Sequence, residues 1–108
     1  MKTTLELVHD LQALLSGPEK WTQGSYARNV SGEKVQIDDP QAVCFCLTGA
    51  FQYLSSGEAY RWLYNLASEL ADAPNGYLVV WNDTPGRTFT DIQSLMAKME
   101  ELAKLEAA

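Results

Sequence analysis

The feature that most constrains the fold is an almost unbroken apolar segment at residues 42–54, in which ten of thirteen residues are apolar or aromatic. Two aspartates precede Pro40, which is the pattern of an N-cap followed by a proline in the first helical turn. We therefore predict a helix from about residue 40 to Leu54. Because a helix without a polar stripe is usually surrounded by other elements, we expect it at the centre of the fold. Gly49 would allow one neighbour to approach it closely.

Three amphipathic helices are predicted around this segment. Each begins with a Ser or Thr that is followed three residues later by an acidic residue, the pattern of a capping box. The three pairs are Thr3 with Glu6, Ser55 with Glu58, and Thr88 with Asp91. The first helix is expected to end at residues 16–18 and the second near residue 72, and the third fills the C-terminal segment. Their apolar side chains recur every three or four residues and form one stripe on each helix.

Short β elements complete the predicted fold. Residues 26–30 and 34–37 flank Ser31-Gly32, a pattern typical of a small hairpin. Residues 77–81 follow a Pro-Asn-Gly break and predict a short extended segment. The sequence therefore predicts a single domain over residues 1–108, of a mainly α (α+β) class. About four helices pack around the central apolar helix, with the hairpin and the extended segment beside them.

Charge narrows the classes of partner. The chain carries 8 Lys and Arg against 14 Asp and Glu, which gives a net charge of −6 at pH 7. This balance disfavours direct binding to nucleic acid, whose phosphates attract clustered Lys and Arg. An alternative stays open, in which an acidic phage or mobile-element protein inhibits a host factor through its surface.

The sequence also predicts where the protein acts. No apolar run approaches the ~20 residues that span a bilayer, and the N-terminal residues lack the apolar core of a signal peptide. We therefore expect a cytoplasmic protein without a membrane partner. Trp62 falls at the border of its predicted helix, and Leu105 falls off the apolar stripe of the last one. Both would leave apolar surface uncovered, so homo-oligomerisation remains open.

Cysteine and histidine usage argues against a metal, a cofactor or a catalytic residue. Cys44 and Cys46 are two residues apart, which in a helix places them on opposite faces, and His9 is the only histidine. We expect both cysteines to be buried and reduced, and His9 to be solvated on the polar face of the first helix. A small enzyme that uses Asp83 and Arg87, with Cys46 as a remote further candidate, is the remaining catalytic alternative.

Two stretches hold more polar and aromatic residues than a scaffold requires: residues 21–28 (WTQGSYAR) and residues 81–88 (WNDTPGRT). Together with residues 42–50 (AVCFCLTGA), they resemble the signature of a bacterial and phage family of unknown function. Its members contain W-x-Q-G-x-x-A-R, then C-x-x-G-A, then W-N-D-x-x-G-R-T. Cys46 occupies the middle motif, and Cys44 is extra. The resemblance implies one natural domain and implies no activity.

The second stretch suits an anion. It leads into a predicted helix N-terminus, where backbone N–H groups, the helix dipole and the Arg87 guanidinium would act together. A phosphate, a carboxylate or an acidic side chain of a protein partner fits this chemistry. We therefore expect a small binding or accessory module. The hypothetical ligand-binding residues are Trp81, Asn82, Asp83, Arg87 and Thr88, with Trp21, Gln23 and Arg28 adjoining them.

A purely structural role for the same residues is the competing hypothesis. Asn82 and Asp83 can satisfy the amides of their own loop, and Arg87 can pair with Asp83. Arg28 can stack on an aromatic ring and close the edge of a small core. The binding hypothesis carries a further expectation, based on the shared aromatic and polar make-up of the two stretches: residues 21–28 and 81–88 lie side by side.

Overall fold

The computed structural model of the protein describes residues 2–107, and helices dominate it. The helices are α1 (Thr4–Leu14), α2 (Leu47–Leu54), α3 (Gly57–Ala71), α4 (Leu78–Asn82) and α5 (Phe89–Ala107). The strands are β1 (Ala27–Arg28) and β2 (Cys44–Phe45), and 3₁₀ turns occupy Pro18–Lys20 and Pro74–Gly76. The predicted α+β class, mainly helical with a small β element, is confirmed.

The apolar segment lies at the centre of the fold, but its helix is shorter than predicted. Residues Leu47 to Phe51 of α2 are all buried, and the helix contacts α1, α3 and α4. The prediction of a continuous helix over residues 40–54 is wrong, because Asp39 caps a tight turn instead. Its Oδ1 accepts a hydrogen bond from the Gln41 N–H at 2.8 Å, and the chain then runs extended into β2.

The small sheet also differs from the predicted hairpin. β2 pairs with β1 in an antiparallel ladder, with Ala27 opposite Phe45 and Arg28 opposite Cys44. The turn over residues 29–33 is present, but the segment at 34–37 contributes only an isolated bridge at Lys34. The main partner of β1 comes from the apolar segment because pairing there buries side chains from both strands, whereas half of the residues at 34–37 are exposed.

Two of the three predicted capping boxes are confirmed. At α1, the Glu6 N–H donates to Thr3 Oγ1 at 3.1 Å, and the Thr3 N–H donates to Glu6 Oε1 at 2.9 Å. At α5, Thr88 and Asp91 exchange the equivalent hydrogen bonds at 3.3 and 3.0 Å. Each pair satisfies amides that the first helical turn leaves without a carbonyl.

The third predicted box, between Ser55 and Glu58, is wrong. The Ser55 hydroxyl donates to the Phe51 carbonyl at 2.7 Å and so ends α2 instead of starting α3. Ser56 takes the N-cap position of α3 without a side-chain hydrogen bond. Only two residues, Ser55 and Ser56, connect α2 to α3. Ser55 was predicted to start α3, but its side chain bonds to the last turn of α2.

Residues 77–81 were expected to be extended, and they enter helix α4 instead. Their β-branched and aromatic side chains favour strands, but packing overrides that preference. α4 lies against α2 and α3 with Leu78 and Trp81 buried, and the Leu78 N–H donates to the Tyr64 hydroxyl at 3.1 Å. This short helix carries Asn82 at its last position into the interior.

α1 and α5 pack against each other and close the other side of the core. Their buried side chains include Leu7, Val8 and Leu11 from α1, and Ile92, Met96 and Met99 from α5. At the edge of this contact His9 Nε2 lies 3.0 Å from Glu100 Oε2, and His9 is exposed, as predicted. Within residues 2–107, no helix is both long and apolar enough to cross a membrane.

Gly49 is the point of closest approach in the fold. A Cβ atom at this position would lie 2.1 Å from the carbonyl oxygen of Tyr26, which belongs to the segment that leads into β1. The same carbonyl accepts a hydrogen bond from the Cys46 N–H at 3.3 Å. The predicted close neighbour of Gly49 is thus the backbone of Tyr26, and it cannot move away without loss of this bond.

We expect Gly49→Ala to lower the free energy of unfolding by about 3 kcal/mol or more, because the contact is with backbone rather than with a flexible side chain. In an open helical position the same change would stabilise by about 0.5–1 kcal/mol, so the sign is diagnostic. Gly86→Ala is the comparison, since Gly86 has φ +86° and open space around it. Its loss should be only about 1–2 kcal/mol, from backbone strain alone. Urea unfolding measures both, and a stabilised Gly49→Ala would contradict the packing.

Two carboxylates make the stability dependent on acid. A hydrogen bond from the Thr3 backbone lowers the pKa of Glu6, and hydrogen bonds from His9 and Gln12 lower the pKa of Glu100, in both cases from an ordinary 4.5. A carboxyl group with a lower pKa in the folded state stabilises the protein above its unfolded pKa. That contribution is lost as the pH falls through the folded value.

We therefore expect the urea midpoint to fall as the pH drops below about 4.5, and to fall less in the double variant Glu6→Gln/Glu100→Gln. Glutamine at position 6 can still complete the capping box, so α1 keeps its start. Glu101→Gln removes the same charge one position along α5 and should leave the acid dependence unchanged. Equal acid dependence in the double variant and the parent protein would contradict this assignment.

Candidate functional site

Asn82 is the hub that joins the two predicted stretches. It is fully buried, and its side-chain amide makes four hydrogen bonds. Oδ1 accepts from Trp21 Nε1 at 2.8 Å and from the Leu47 N–H at 3.1 Å. Nδ2 donates to the Thr22 carbonyl at 3.2 Å and to Asp83 Oδ1 at 2.9 Å. All the hydrogen-bonding capacity of the amide is therefore used inside the protein.

Gln23 reinforces the same junction. Its Nε2 donates to the carbonyl of Asn82 at 2.8 Å and to that of Thr84 at 3.2 Å. The Gly24 N–H donates to Asp83 Oδ1 at 3.0 Å. The expected adjacency of residues 21–28 and 81–88 is confirmed, since five hydrogen bonds join the two stretches.

Arg28 holds its own loop. Its guanidinium donates to Thr22 Oγ1 and to the carbonyls of Gln23 and Gly32 at 3.0–3.1 Å. The cation–π contact that was considered for Arg28 is formed by Arg87 instead, whose guanidinium carbon lies 4.0 Å from the centroid of the Trp81 ring. Arg28 thus ties the segment before β1 to the turn after β1 and does not cover an aromatic edge.

Arg87 is also engaged within the protein. Its Nε donates to the Trp81 carbonyl at 2.9 Å, and its Nη1 lies 3.8 Å from Asp91 Oδ2. The carboxylate beside it therefore belongs to Asp91 rather than to Asp83, the partner considered from the sequence. Thr88 is occupied as the first residue of the α5 capping box. The loop at 81–88 is built mainly from internal contacts, which is the structural hypothesis for these residues.

Cys46 caps α2. Its Sγ accepts a hydrogen bond from the Gly49 N–H at 3.3 Å, and only 2% of the residue is exposed. Burial raises the pKa of the thiol, so it stays protonated at neutral pH and is a poor nucleophile. Cys44 is half-buried, and both cysteines are free thiols. Among the residues that the structure describes, no group of three or more His, Cys, Asp or Glu side chains is arranged to hold a metal ion.

A pocket of about 370 Å³ lies beside this junction, on the surface over α2 and α3. We call it the tyrosine pocket, because four tyrosines line it: Tyr26, Tyr60, Tyr64 and Tyr77. The remaining lining residues are Thr48, Gln52, Arg61, Asn65 and Val79. Its volume falls in the usual range for small-molecule sites, and it combines aromatic walls with a few polar groups, as such sites do.

Thr48 is the most informative residue of the tyrosine pocket. It lies in the first turn of α2 and is only 3% exposed, yet its hydroxyl has no hydrogen-bond partner among the described residues. Leaving a buried polar group unpaired costs about 1–3 kcal/mol, so native proteins rarely keep one without a reason. Thr48 therefore combines a place in the lining of the pocket with an unsatisfied buried hydroxyl.

A second pocket, of about 250 Å³, adjoins the first and shares Tyr26 and Val79 with it. It extends to Asp83 and Cys46. Asp83 is therefore the only one of the eight hypothetical ligand residues that lines either of these two described pockets. Sequence reasoning missed the tyrosine pocket, although Tyr60 and Tyr64 at i and i+4 signalled one aromatic patch on α3.

The fold and the pocket define the chain as a small α+β domain with a tyrosine-lined recess over its central helix. A family model, DUF6197, described as a family of unknown function, matches residues 1–102. The chain belongs to this family, which confirms the expectation of a family without an established activity. No curated protein and no solved structure matches the chain.

We expect Asn82→Ala to lower the free energy of unfolding by about 3 kcal/mol or more, since it leaves the half-buried Trp21 indole N–H and the buried Leu47 N–H without acceptors. Gln93→Ala removes an amide of the same chemistry from an exposed position of α5 and should change stability by no more than about 0.5 kcal/mol. Chemical denaturation followed by tryptophan fluorescence measures both. If both variants lose only a similar, small part of the free energy of unfolding, the hydrogen bonds of Asn82 do not determine the stability of the junction.

Proposed function

We propose that the protein is a small, non-catalytic binding module and that its ligand site is the tyrosine pocket. The observation that carries this proposal concerns Thr48, which lines the pocket and whose buried hydroxyl has no hydrogen-bond partner within the described residues. A bound polar group would supply that partner. The four tyrosines add large, rigid contact surfaces, and their two χ angles are ordered at low entropic cost.

The junction around Asn82 positions the residues of the tyrosine pocket. Asn82 Oδ1 accepts from the N–H of Leu47, the residue directly before Thr48, and so fixes the start of α2. Gly49 lets the backbone of Tyr26 lie against the same turn. The motif residues thereby hold Tyr26, which lines the pocket, against the first turn of α2, which contains Thr48. Ligand contact itself is assigned to the lining of the tyrosine pocket rather than to the loop at 81–88.

Origin and location belong to the same proposal. The resemblance of the three motifs to a bacterial and phage family supports an origin in bacteria or their phages. The two free cysteines suit a reducing compartment, which supports a cytoplasmic location. Fractionation of the source cells, followed by detection of the protein with a specific antibody, tests the location.

We expect Thr48→Val to raise the free energy of unfolding by about 1 kcal/mol and at the same time to weaken ligand binding. The valine removes an unpaired buried hydroxyl, which stabilises the free protein, but it also removes the group that a ligand would engage. Ser68→Ala is the matched control, since Ser68 is the other buried hydroxyl without a partner in the described chain and lies outside the tyrosine pocket. It should stabilise the protein without any effect on binding.

Binding is measured by nuclear magnetic resonance titration of the isotope-labelled protein with four probes: benzoate, benzamide, adenosine and adenosine monophosphate. The proposal expects at least one probe to shift the amide signals of Thr48, Gln52 and Tyr60, and Tyr77→Ala to weaken that probe. Val80→Ala is the control, because Val80 is exposed nearby on α4 and does not line the pocket. If no probe binds there, or if Thr48→Val neither stabilises the protein nor weakens binding, the site is wrong.

A further inference from the structure

We infer that the tyrosine pocket selects ligands in which a flat ring carries an anionic group, either a carboxylate or a phosphate. This preference deepens the proposed function and rests on it. The preference follows from three properties of the lining: its charge, the position of the nearest carboxylate, and its aromatic walls.

The lining is positively charged in a protein that is acidic overall. Arg61 is its one charged residue among the nine described, although the chain contains 14 Asp and Glu. No carboxylate forms an ion pair with Arg61 within the described residues, whereas Arg87 lies beside Asp91. An exposed guanidinium without a partner offers a planar set of donors that matches a carboxylate or a phosphate.

The amides of the lining add to this match. Gln52 and Asn65 are both exposed, and their side chains supply N–H donors from α2 and α3. The buried Thr48 hydroxyl is a further donor, and it has no competing acceptor among the described residues. The side chains of Arg61, Gln52, Asn65 and Thr48 are all hydrogen-bond donors, so the pocket favours a ligand that carries several acceptor atoms.

Asp83 determines the orientation of the bound anion. It lines the adjoining pocket, on the far side of the shared residues Tyr26 and Val79. Its carboxylate repels an anionic group and so favours placement of that group toward Arg61 on α3. The ring of the ligand then contacts the tyrosine side chains of the lining.

The aromatic walls favour a flat ring. The rings of Tyr60 and Tyr64 both line the pocket, and their centroids lie 6.0 Å apart with an interplanar angle of 35°. The Tyr64 hydroxyl accepts from the Leu78 N–H, which holds that ring in place. Stacking and edge contacts with such fixed rings reward planar ligands.

The decisive experiment compares charged and uncharged ligands of the same shape in the full chain. Benzoate is paired with benzamide, and adenosine monophosphate with adenosine, in the titration described above. We expect the charged member of at least one pair to bind about tenfold more tightly or better, since hydrogen bonds to charged groups are the stronger ones. The pair with the larger ratio tells whether a carboxylate or a phosphate is preferred.

Arg61→Met should abolish the preference and leave the binding of the uncharged probes within about twofold, since the methionine retains an unbranched apolar stem in place of that of arginine. Arg61→Gln is the second variant. Lys34→Met is the control, because it removes one positive charge from an exposed position outside the pocket. It should leave the ratio unchanged, which separates a contact at Arg61 from an effect of net charge.

The outcomes separate the two proposals. If uncharged probes bind at the tyrosine pocket as tightly as the charged ones, the preference is overturned while the proposed function stands. If the preference survives in both Arg61 variants, Arg61 does not carry it and the inference is overturned. If no probe shifts the signals of the pocket, the preference and the proposed function both fail.

Discussion

The rest of the structure depends on one buried amide. Asn82 accepts hydrogen bonds from the Trp21 indole N–H and from the first amide of α2. It donates hydrogen bonds to the Thr22 carbonyl and to the Asp83 carboxylate. A buried amide can be tolerated only when its donors and acceptors are satisfied, and here its partners come from three separate segments. One side chain therefore fixes the positions of the segment before β1, the end of α4 and the start of α2 relative to one another.

This constraint gives the aromatic and polar residues of the motifs a structural role. Trp21 and Gln23 meet Asn82, Arg28 holds the neighbouring turn, and Arg87 covers the Trp81 ring. Each contact is internal, and each favours the structural hypothesis. The tyrosine pocket arises beside this scaffold. It shares Tyr26 and Thr48 with the motifs, and its remaining lining residues lie outside them.

Much of the fold could be predicted from sequence because the signals were local. The capping boxes at Thr3 and Thr88 are confirmed, since side-chain capping depends on residues three apart. The errors at residues 40–46 and 77–81 have the opposite cause. Asp39 and Pro40 suit a turn as well as a helix start, and the apolar run at 77–81 became helical through burial against α2 and α3.

The candidate site was predictable only in part, for the same reason. The prediction that residues 21–28 and 81–88 lie side by side rests on their similar aromatic and polar composition. The hydrogen bonds of Asn82 confirm it. The lining of the tyrosine pocket joins Tyr26, Thr48, Tyr64 and Tyr77, which no sequence spacing brings together. The unpaired state of the Thr48 hydroxyl depends on three-dimensional packing and has no sequence signal.

The bond between Trp21 and Asn82 closes a loop between residues that are 61 positions apart, and this has a consequence for synthesis. During synthesis, the segment of α2 leaves the ribosome before α4, so its apolar surface is at first uncovered. The first amide of α2 has no Asn82 acceptor until α4 has been synthesised. Such distant pairings slow folding and prolong the exposure of sticky intermediates. The core around the start of α2 can therefore close only after α4 has been synthesised.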